Sequence, residues 1–394
     1  MKKLFTLIVV FAMTLSLAAC GGPAEPPQSS AGSKPPAGSG ASSSGQSTPG
    51  TFYAREHRAE ILAGIDEVIA SLNAGSISYD EAISKIQETI PKPESSPDYP
   101  NRDITVVIGW GEGGSSDKYP RNIGVDAAKI LGVNLVYLNM AGSNGDLAVA
   151  YTLESDPDGY TICGINGSQP TTQIFYEHDY VFTEDMAFIT ANQSYAEGLF
   201  VKAGSGLETW EDVVAYAQEH GNINIATVGE TNDDGLVVWA LQDFFKMKMT
   251  NIGYTKAGER TTALMGGHVE LLADSVGNVM QLVESGDVIP VLYYGDIHYD
   301  FAPDVPSFSD YGLEMSLYRY RGFGGPKDLA DDICEYLYQV FYAAQWLPNY
   351  QEFEATEFLN YSQPFTLAPE ELKEFVQSFY EEGLDMYNKY YKNK

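Results

Sequence analysis

The stretch ITVVIGWGEGGSSD (residues 104–117) decides the fold class of this sequence. Its apolar part, residues 104–108, predicts a β-strand, and the glycine-rich part, residues 109–114, predicts the loop that follows it. The polar residues from Ser115 onward open a helical stretch. Strand, glycine-rich loop and helix in this order are typical of α/β proteins with parallel sheets, in which ligands bind at the loops that follow the strands.

The same pattern continues along the chain. Helical stretches are predicted between the strands, for example over residues 209–220 and 236–247. This alternation predicts parallel sheets that carry helices on both faces. The further strands are predicted at residues 135–138, 161–163, 199–201, 224–226, 270–273 and 290–293.

Residues 109–114 also match the pattern G-x-G-x-x-G of dinucleotide-binding proteins. That fingerprint requires an acidic residue about 20 positions later, at the end of the second strand. This sequence has Asn139 there, and no carboxylate between Leu131 and Gly145. We therefore expect no cofactor. The glycines instead predict that backbone N–H groups approach an anion at a helix N-terminus.

The composition excludes several classes of partner. The chain has 394 residues, and its 23 Lys and Arg against 54 Asp and Glu give a net charge of −31. The length suggests two or three domains. The acidic excess argues against binding to nucleic acid and against docking on anionic lipid through basic patches. Three cysteines (Cys20, Cys163 and Cys334) are too few for a disulfide framework, and whether Cys163 and Cys334 pair stays open.

The N-terminus predicts export and attachment to a membrane. Residues 1–19 have two lysines followed by an apolar run that is shorter than the ~20 residues of a membrane span, as in a signal peptide. The sequence LAAC (residues 17–20) resembles the lipobox of bacterial lipoproteins, which implies acylation of Cys20. The alternative is an ordinary secretory signal with an accidental cysteine. Residues 20–53 predict a flexible linker, because 25 of the 30 residues at 21–50 are Gly, Ser, Pro or Ala. We expect a lipid-anchored protein on the extracytoplasmic face of the cell membrane.

Residues 54–92 predict a helical hairpin. Ile61, Ile65 and Ile69 belong to one apolar stripe, and Ser78 with Glu81 forms a capping-box pattern that opens the second helix. The hairpin either packs on the main body or serves as a docking or dimerising element. Because amphipathic stripes usually face a core, we expect packing on the body.

Several segments together resemble the Bug family, the substrate-binding proteins of tripartite tricarboxylate transporters. They cover residues 99–390 and include, in order, YPNRDIT (99–105), GGSSD (113–117), NMAGSNG (139–145), DGYT (158–161), LMGGHVE (264–270) with Asp274, and APDVPSF (302–308). The resemblance implies an α/β, two-domain periplasmic-binding-protein-like fold of type II with a ligand cleft between the domains. The first domain would hold residues 99–197 and 322–394, and the second would hold residues 198–321. It further implies a monomeric receptor, and no enzyme, that delivers a small carboxylate-bearing molecule to integral membrane permease subunits.

The resemblance also implies a ligand site. Carried over by position, its residues are Trp110, Gly113, Gly114, Ser115, Ser116, Asp117, Gly142, Ser143, Asn144, Gly145, Gly167, Ser168, Gln169, Thr227, Gly229, Asn232 and Asp274. The sequence departs from the family at Trp110-Gly111-Glu112 and at residues 229–235, which puts dicarboxylate ligands in doubt.

These departures bring four acidic residues to the expected cleft: Glu112, Glu230, Asp233 and Asp234. Two interpretations remain open. The acids form a solvated rim, or they face a zwitterionic or cationic ligand whose carboxylate sits on the glycine-loop amides. Lys118, Lys256 and Arg260 are the basic residues that would offset their charge.

Two other classes of function compete with a receptor. The first is a lipid-anchored surface enzyme, but the five histidines lack metal-ligand spacing and no G-x-S-x-G or phosphate-loop motif occurs. Ser115 and Ser116 lie near Asp117, yet no histidine is suggested nearby as a base. We therefore expect neither catalytic residues nor a metal site. The second class is an adhesive protein, to which the 27 tyrosines would contribute a surface.

Overall fold

The computed structural model describes residues 52–195, 197–315, 319–359 and 365–392. The predicted signal peptide, Cys20 and linker residues 20–51 lie outside the described residues. Within residues 51–394 the chain forms one compact unit that contains two five-stranded sheets.

The first sheet has the strand order β2-β1-β3-β10-β4. Strands β1, β2 and β3 are parallel, whereas β10 runs antiparallel to both of its neighbours. The strands are β1 (Ile104–Ile108), β2 (Leu135–Asn139), β3 (Thr161–Asn166), β4 (Ala187–Tyr195) and β10 (Arg319–Gly325).

The second sheet repeats this plan with the order β7-β6-β8-β5-β9. Strands β6, β7 and β8 are parallel, and β5 runs antiparallel between β8 and β9. The chain passes from the first sheet to the second between Tyr195 and Glu197, and it returns with β10. The strands are β5 (Glu197–Lys202), β6 (Ile223–Thr227), β7 (Met249–Gly253), β8 (Leu271–Ser275) and β9 (Val288–Tyr293).

Every strand predicted from the sequence is present, but three others were missed: β4, β7 and β10. Strand β10 is rich in glycine and carries two arginines, so its sequence RYRGFGG does not look like a strand although all seven residues are buried. Its first residue, Arg319, already belongs to the first sheet, three positions before the expected boundary at residue 322.

Helices cover the sheets. Their bounds are α1 (Tyr53–Glu56), α2 (Arg58–Asn73), α3 (Tyr79–Thr89), α4 (Ser115–Leu131), α5 (Asp146–Leu153), α6 (Ser168–Phe175), α7 (Phe182–Asp185), α8 (Trp210–His220), α9 (Asp233–Phe245), α10 (Ala257–Met265), α11 (Val276–Glu284), α12 (Asp331–Gln345), α13 (Pro348–Thr356) and α14 (Pro369–Met386). Eight of these described helices are the first α-helix after a strand, which places their N-termini toward the ends of the sheets: α4, α5, α6, α8, α9, α10, α11 and α12.

The predicted hairpin consists of α2 and α3, preceded by the short α1. The buried side chains Ile65 and Ile86 lie in the same hydrophobic core as residues of α4 and α12. The capping box is only half present, since Ser78 accepts a hydrogen bond from the Glu81 amide. The apolar stripe thus faces the body, as amphipathicity predicts.

Two further observations bear on the sequence predictions. Cys163 and Cys334 are both buried and unpaired. Burial raises the pKa of the Cys163 thiol to about 12. In the part of the chain that the structure describes, no helix combines the length and apolarity needed to cross a bilayer.

Candidate ligand-binding site

A narrow cleft with a cavity volume of about 60 Å³ opens where residues of both sheets meet. The N-terminal ends of α4, α6, α9 and α10 reach it, so the positive ends of several helix dipoles point to one place. The lining residues are Trp110, Gly111, Gly114, Ser115, Ser116, Asn166, Ser168, Tyr195, Glu197, Val228, Asp233, Asp234, Thr255, Ala257, Arg260, Asp274, Ser275, Asn278, Arg319 and Arg321.

The glycine-rich loop after β1 supplies one wall. Ser115 and Ser116 are the first two residues of α4, and the Asp117 and Lys118 amides that follow them donate to the Gly114 carbonyl at 2.9 Å. The Ser115 and Ser275 hydroxyls are 2.9 Å apart and connect this loop with the second sheet. Free N–H groups at a helix N-terminus form a site for an anion.

Arg319, on β10, stands at the centre of a buried group of acids. Its Nη2 lies 2.8 Å from Glu197 Oε2 and 2.7 Å from Asp234 Oδ1, and its Nη1 contacts Asp233. One guanidinium therefore faces three carboxylates. Burial and the neighbouring Glu197 charge raise the pKa of Asp234 to about 8.

Arg260, on α10, is neutralised in a different way. Its Nε and Nη2 lie 3.0 and 2.9 Å from Oδ2 of Asp274, and both side chains are almost completely buried. The other oxygen of Asp274 accepts a hydrogen bond from Asn278 at 2.8 Å. Arg260 and Asp274 therefore form a closed pair.

Arg321 differs from the other two arginines. Only 4% of the residue is exposed, and its guanidinium lies over the Tyr195 ring, 3.6 Å from the ring centre. Its Nη1 donates to Gln193 and its Nε donates to the Ser116 hydroxyl at 3.4 Å. Among the described residues, no carboxylate lies within 4.0 Å of it. Among the described residues of the cleft lining, Arg321 is thus the arginine without an ion pair within 4.0 Å, although the buried Glu354 lies near the same two tyrosines, Tyr119 and Tyr350.

Of the residues predicted for the site, six line this cleft. They are Trp110, Gly114, Ser115, Ser116, Ser168 and Asp274. Gly113 lines an adjoining shallow groove, which shares Gly114 and Ala257 with the cleft.

Asp117 does not line the cleft and instead holds the glycine-rich loop in place. Its carboxylate accepts hydrogen bonds from the Gly113 amide at 2.9 Å, from Arg121 Nε at 2.8 Å and from Asn139 Nδ2 at 2.8 Å. These contacts orient the loop but leave Asp117 no part in the cleft lining.

The second predicted loop, Gly142, Ser143, Asn144 and Gly145, lies outside the cleft lining as well. Asn144 Nδ2 donates to the Thr231 carbonyl, and Asn144 Oδ1 accepts from Asn232 Nδ2, each at 3.4 Å. Gly229 lies directly beside this contact. These residues join a loop of the first sheet to a loop of the second.

Three other predicted residues lie outside the cleft lining and contact neighbouring parts of the protein. Gln169 accepts a hydrogen bond from the Asn166 amide at 2.7 Å, and Thr227 donates to Asn251 at 2.6 Å. Gly167 leaves room for Phe379, because a Cβ at position 167 would lie only 2.5 Å from that ring. Their direct contact with a ligand stays a prediction.

The four acids noted in the sequence divide into two pairs. Glu112 and Glu230 are exposed, whereas Asp233 and Asp234 are buried and contact Arg319. Asp233 also accepts a hydrogen bond from Ser168 at 2.8 Å, which links α9 to α6. Asp233 and Asp234 are therefore not part of a solvated rim.

Sequence reasoning missed Tyr195, Glu197, Arg319 and Arg321. The signal for two of them is the pattern Arg319-Tyr320-Arg321, because alternate residues of a strand point to one face. Two arginines in such a spacing are unusual in a chain with 23 basic residues among 394.

The chain is similar to several known proteins. It is 28% identical over 266 residues to a UPF0065 protein of Cupriavidus necator, covering 67% of this chain and 80% of that protein. The structure superposes with a TM-score of 0.67 on MatC from Rhodopseudomonas palustris with bound malate, at 21% identity over 73% of this chain and 99% of MatC. It superposes equally well (TM-score 0.67) on another R. palustris protein with adipate, at 17% identity over 74% of this chain and 98% of that protein.

These structures confirm the predicted fold class, a periplasmic-binding-protein-like α/β fold. The profile of the tripartite tricarboxylate transporter family receptor, TctC, matches residues 120–380, which is more than half of the sequence. The chain therefore belongs to the receptor family of the tripartite tricarboxylate transporters.

Proposed function

We propose that the chain is an extracytoplasmic solute receptor that binds a small carboxylate-bearing molecule in the cleft and delivers it to a permease of the tripartite tricarboxylate type. The observation that carries this proposal is the buried guanidinium of Arg321 at the cleft, which forms no ion pair within 4.0 Å among the described residues. A buried charge is costly unless an opposite charge meets it. A ligand carboxylate would supply that opposite charge.

The surroundings of Arg321 suit this role. Arg321 Nε donates to the Ser116 hydroxyl at 3.4 Å, and Ser115 and Ser116 at the start of α4 line the same cleft. Arginine binds carboxylates through two parallel charge-assisted hydrogen bonds. The malate and adipate of the two R. palustris structures are both carboxylates, which supports the same ligand chemistry here.

The contacts of the cleft favour a receptor over an enzyme. A serine nucleophile needs a general base within hydrogen-bond reach. Ser115 instead contacts the hydroxyl of Ser275, and the cleft lining contains no histidine among the described residues. In the described ranges there is also no group of His, Cys, Asp and Glu that could hold a metal ion.

Thermal shift and calorimetry with a panel of carboxylates, amino acids and aromatic acids test the proposal. A ligand that binds only the folded state stabilises it by ~2.7 kcal/mol at a hundredfold excess over Kd. We expect one small acid to raise the melting temperature and to be recovered unchanged. A chemical product would overturn the proposal.

Gly114→Val tests the position of the site. Gly114 has a φ of −78°, and a Cβ there would meet only the Gly111 carbonyl, at 3.8 Å. The fold should therefore accept the valine, while its methyl groups enter the cleft. We expect lost binding with an unchanged melting temperature. Full affinity in this variant would show that the ligand binds elsewhere.

The membrane anchor and the permease belong to the same proposal. Acylation of Cys20 with two or more chains would hold the protein firmly, since each buried CH₂ contributes ≈ 0.8 kcal/mol. Cys20→Ser should move the protein from the membrane fraction to the soluble fraction, whereas the linker variant Ser29→Ala should not. A membrane-bound Cys20→Ser protein would refute the anchor. Uptake of the identified ligand should stop in cells that lack the receptor.

A further inference from the structure

We propose that the cleft selects a ligand with one carboxylate and a cationic nitrogen, because Asp233 and Asp234 occupy Arg319 as internal carboxylates and leave only Arg321 to bind a carboxylate of the ligand. This inference rests on the proposed receptor function and specifies its substrate class. It makes Asp233 and Asp234 specificity-determining residues.

The cleft has few basic groups left for a ligand. Three arginines line the cleft, but two of them already face carboxylates of the chain. Arg260 is held by Asp274, and Arg319 is held by Asp233, Asp234 and Glu197. Arg321 is the one lining arginine without an ion pair within 4.0 Å among the described residues, so one carboxylate of a ligand finds a partner and a second does not.

The net charge of the cleft lining also disfavours a dicarboxylate. Three guanidiniums against four carboxylates give a net charge of −1 when all groups are ionised. One proton on the acids around Arg319 would make the lining neutral. A dicarboxylate would bring two negative charges into a site without a positive excess, and its second carboxylate would lose hydration without compensation. A zwitterion leaves the total charge unchanged.

Glu197 lies where the cationic nitrogen of the ligand would bind. Oε2 of Glu197 receives no well-aligned hydrogen bond from the described residues, although Arg319 Nη2 lies 2.8 Å away. Arg319 and Arg321 are two residues apart on one strand, so their backbones are separated by about 7 Å. A compact ligand whose carboxylate contacts Arg321 therefore brings its next groups close to Glu197 and the two aspartates. A cationic nitrogen there gains charge-assisted hydrogen bonds.

The ligand test compares molecules of equal chain length. The probes are γ-aminobutyrate, butyrate and succinate, then 6-aminohexanoate, hexanoate and adipate, together with the twenty amino acids. Calorimetry on the wild-type protein should find an amine-bearing acid that binds at least tenfold tighter than every dicarboxylate. Tighter binding of succinate, adipate or malate would overturn the inference and leave the receptor function standing. No binding by any carboxylate would refute both.

Variants then test the residues. Asp233→Asn with Asp234→Asn leaves Arg319 with Glu197 as its one remaining carboxylate among the described residues, so affinity for the dicarboxylates should rise at least tenfold and affinity for the amine-bearing acid should fall. Asp243→Asn, an exposed acid on the same helix, is the matched control. The single variant Asp233→Asn gives the same direction of change if the double variant unfolds. Unchanged selectivity in a folded variant would contradict the role of the aspartates.

Arg321→Gln tests the anchor. We expect all carboxylate ligands to lose at least a hundredfold in affinity, because each one depends on this guanidinium. Arg102→Gln, on an exposed side chain far from the cleft lining, should leave affinity unchanged. Retained affinity in folded Arg321→Gln would show that the ligand carboxylate binds elsewhere.

Discussion

Replacement of Arg58 by methionine should loosen the N-terminal hairpin, and the loss of stability should depend on pH. Arg58, on α2, donates from Nε to Glu335 Oε1 at 2.9 Å and approaches Glu370 Oε1 to 2.6 Å. The Glu335 side chain is 1% exposed, whereas that of Glu370 is 41% exposed. The variant therefore leaves one buried carboxylate without its cation, with Gln339 as a remaining donor at 2.8 Å.

The magnitude follows from these contacts. Loss of one partner from a buried pair costs roughly 3–5 kcal/mol, and an exposed pair contributes about 0–1 kcal/mol. The buried carboxylate can escape its penalty by taking up a proton. For an ordinary glutamate this costs about 4 kcal/mol at pH 7 and about 1 kcal/mol at pH 5. We expect Arg58→Met to lose about 3 kcal/mol at pH 7 and no more than about 1 kcal/mol at pH 5.

Urea denaturation at the two pH values, followed by circular dichroism, measures this loss. Arg55→Met is the matched control, since Arg55 is 37% exposed and reaches only Glu370, at 3.7 Å. The double variant Arg58→Met with Glu335→Gln should recover much of the stability, because no charge stays buried. A loss below 1 kcal/mol at pH 7, or an equal loss at both pH values, would refute the reasoning.

Three further predictions concern the packing and the charge of the body. Asp234→Asn should flatten the pH dependence of stability. The pKa of Asp234 in the folded protein is about 8, against a usual value of 3.8, so its contribution to stability is present below pH 4 and is lost as the pH rises through 8. Urea midpoints of the wild-type protein should therefore fall over this range more steeply than those of the variant. Gly167→Ala should cost about 1–3 kcal/mol in urea titrations because the new methyl group overlaps the Phe379 ring, and Phe379→Leu should restore part of the loss if that overlap is the cause. Ile65→Ala should cost about 2–5 kcal/mol by opening a cavity under the hairpin, whereas the half-exposed Ile77→Ala should cost much less; equal melting temperatures would contradict this.

The sequence predicts the local elements of the fold well. The strand at residues 104–108, its glycine loop and α4 follow from patterns that lie within a few residues of one another. The hairpin of α2 and α3 is equally local, because its apolar stripe and caps occur within residues 54–92. Such features depend on near neighbours in the chain, and periodicity records them directly.

The sequence does not predict the contacts between segments that lie far apart in the chain. Arg319 and its partner Asp234 are 85 positions apart, so no spacing rule connects them. Gly167 resembles a ligand clamp in the sequence, yet its lack of a side chain makes room for Phe379, more than 200 residues later. The sequence of strand β10 does not predict a strand, because its glycines and arginines have no apolar pattern. Its pairing with β3 and β4, which are distant in the chain, makes it a strand.

Strand β10 has a consequence for how substitutions in this receptor act. Tyr320 is fully buried and packs edge-to-face on Phe375 and Phe379, while the residues on either side of it line the cleft. Alternate residues of this one short strand thus contribute to the packing of the core and to the charge of the cleft. Substitutions at positions 319 and 321 would therefore change the charge of the cleft, whereas the Tyr320 side chain between them packs in the core.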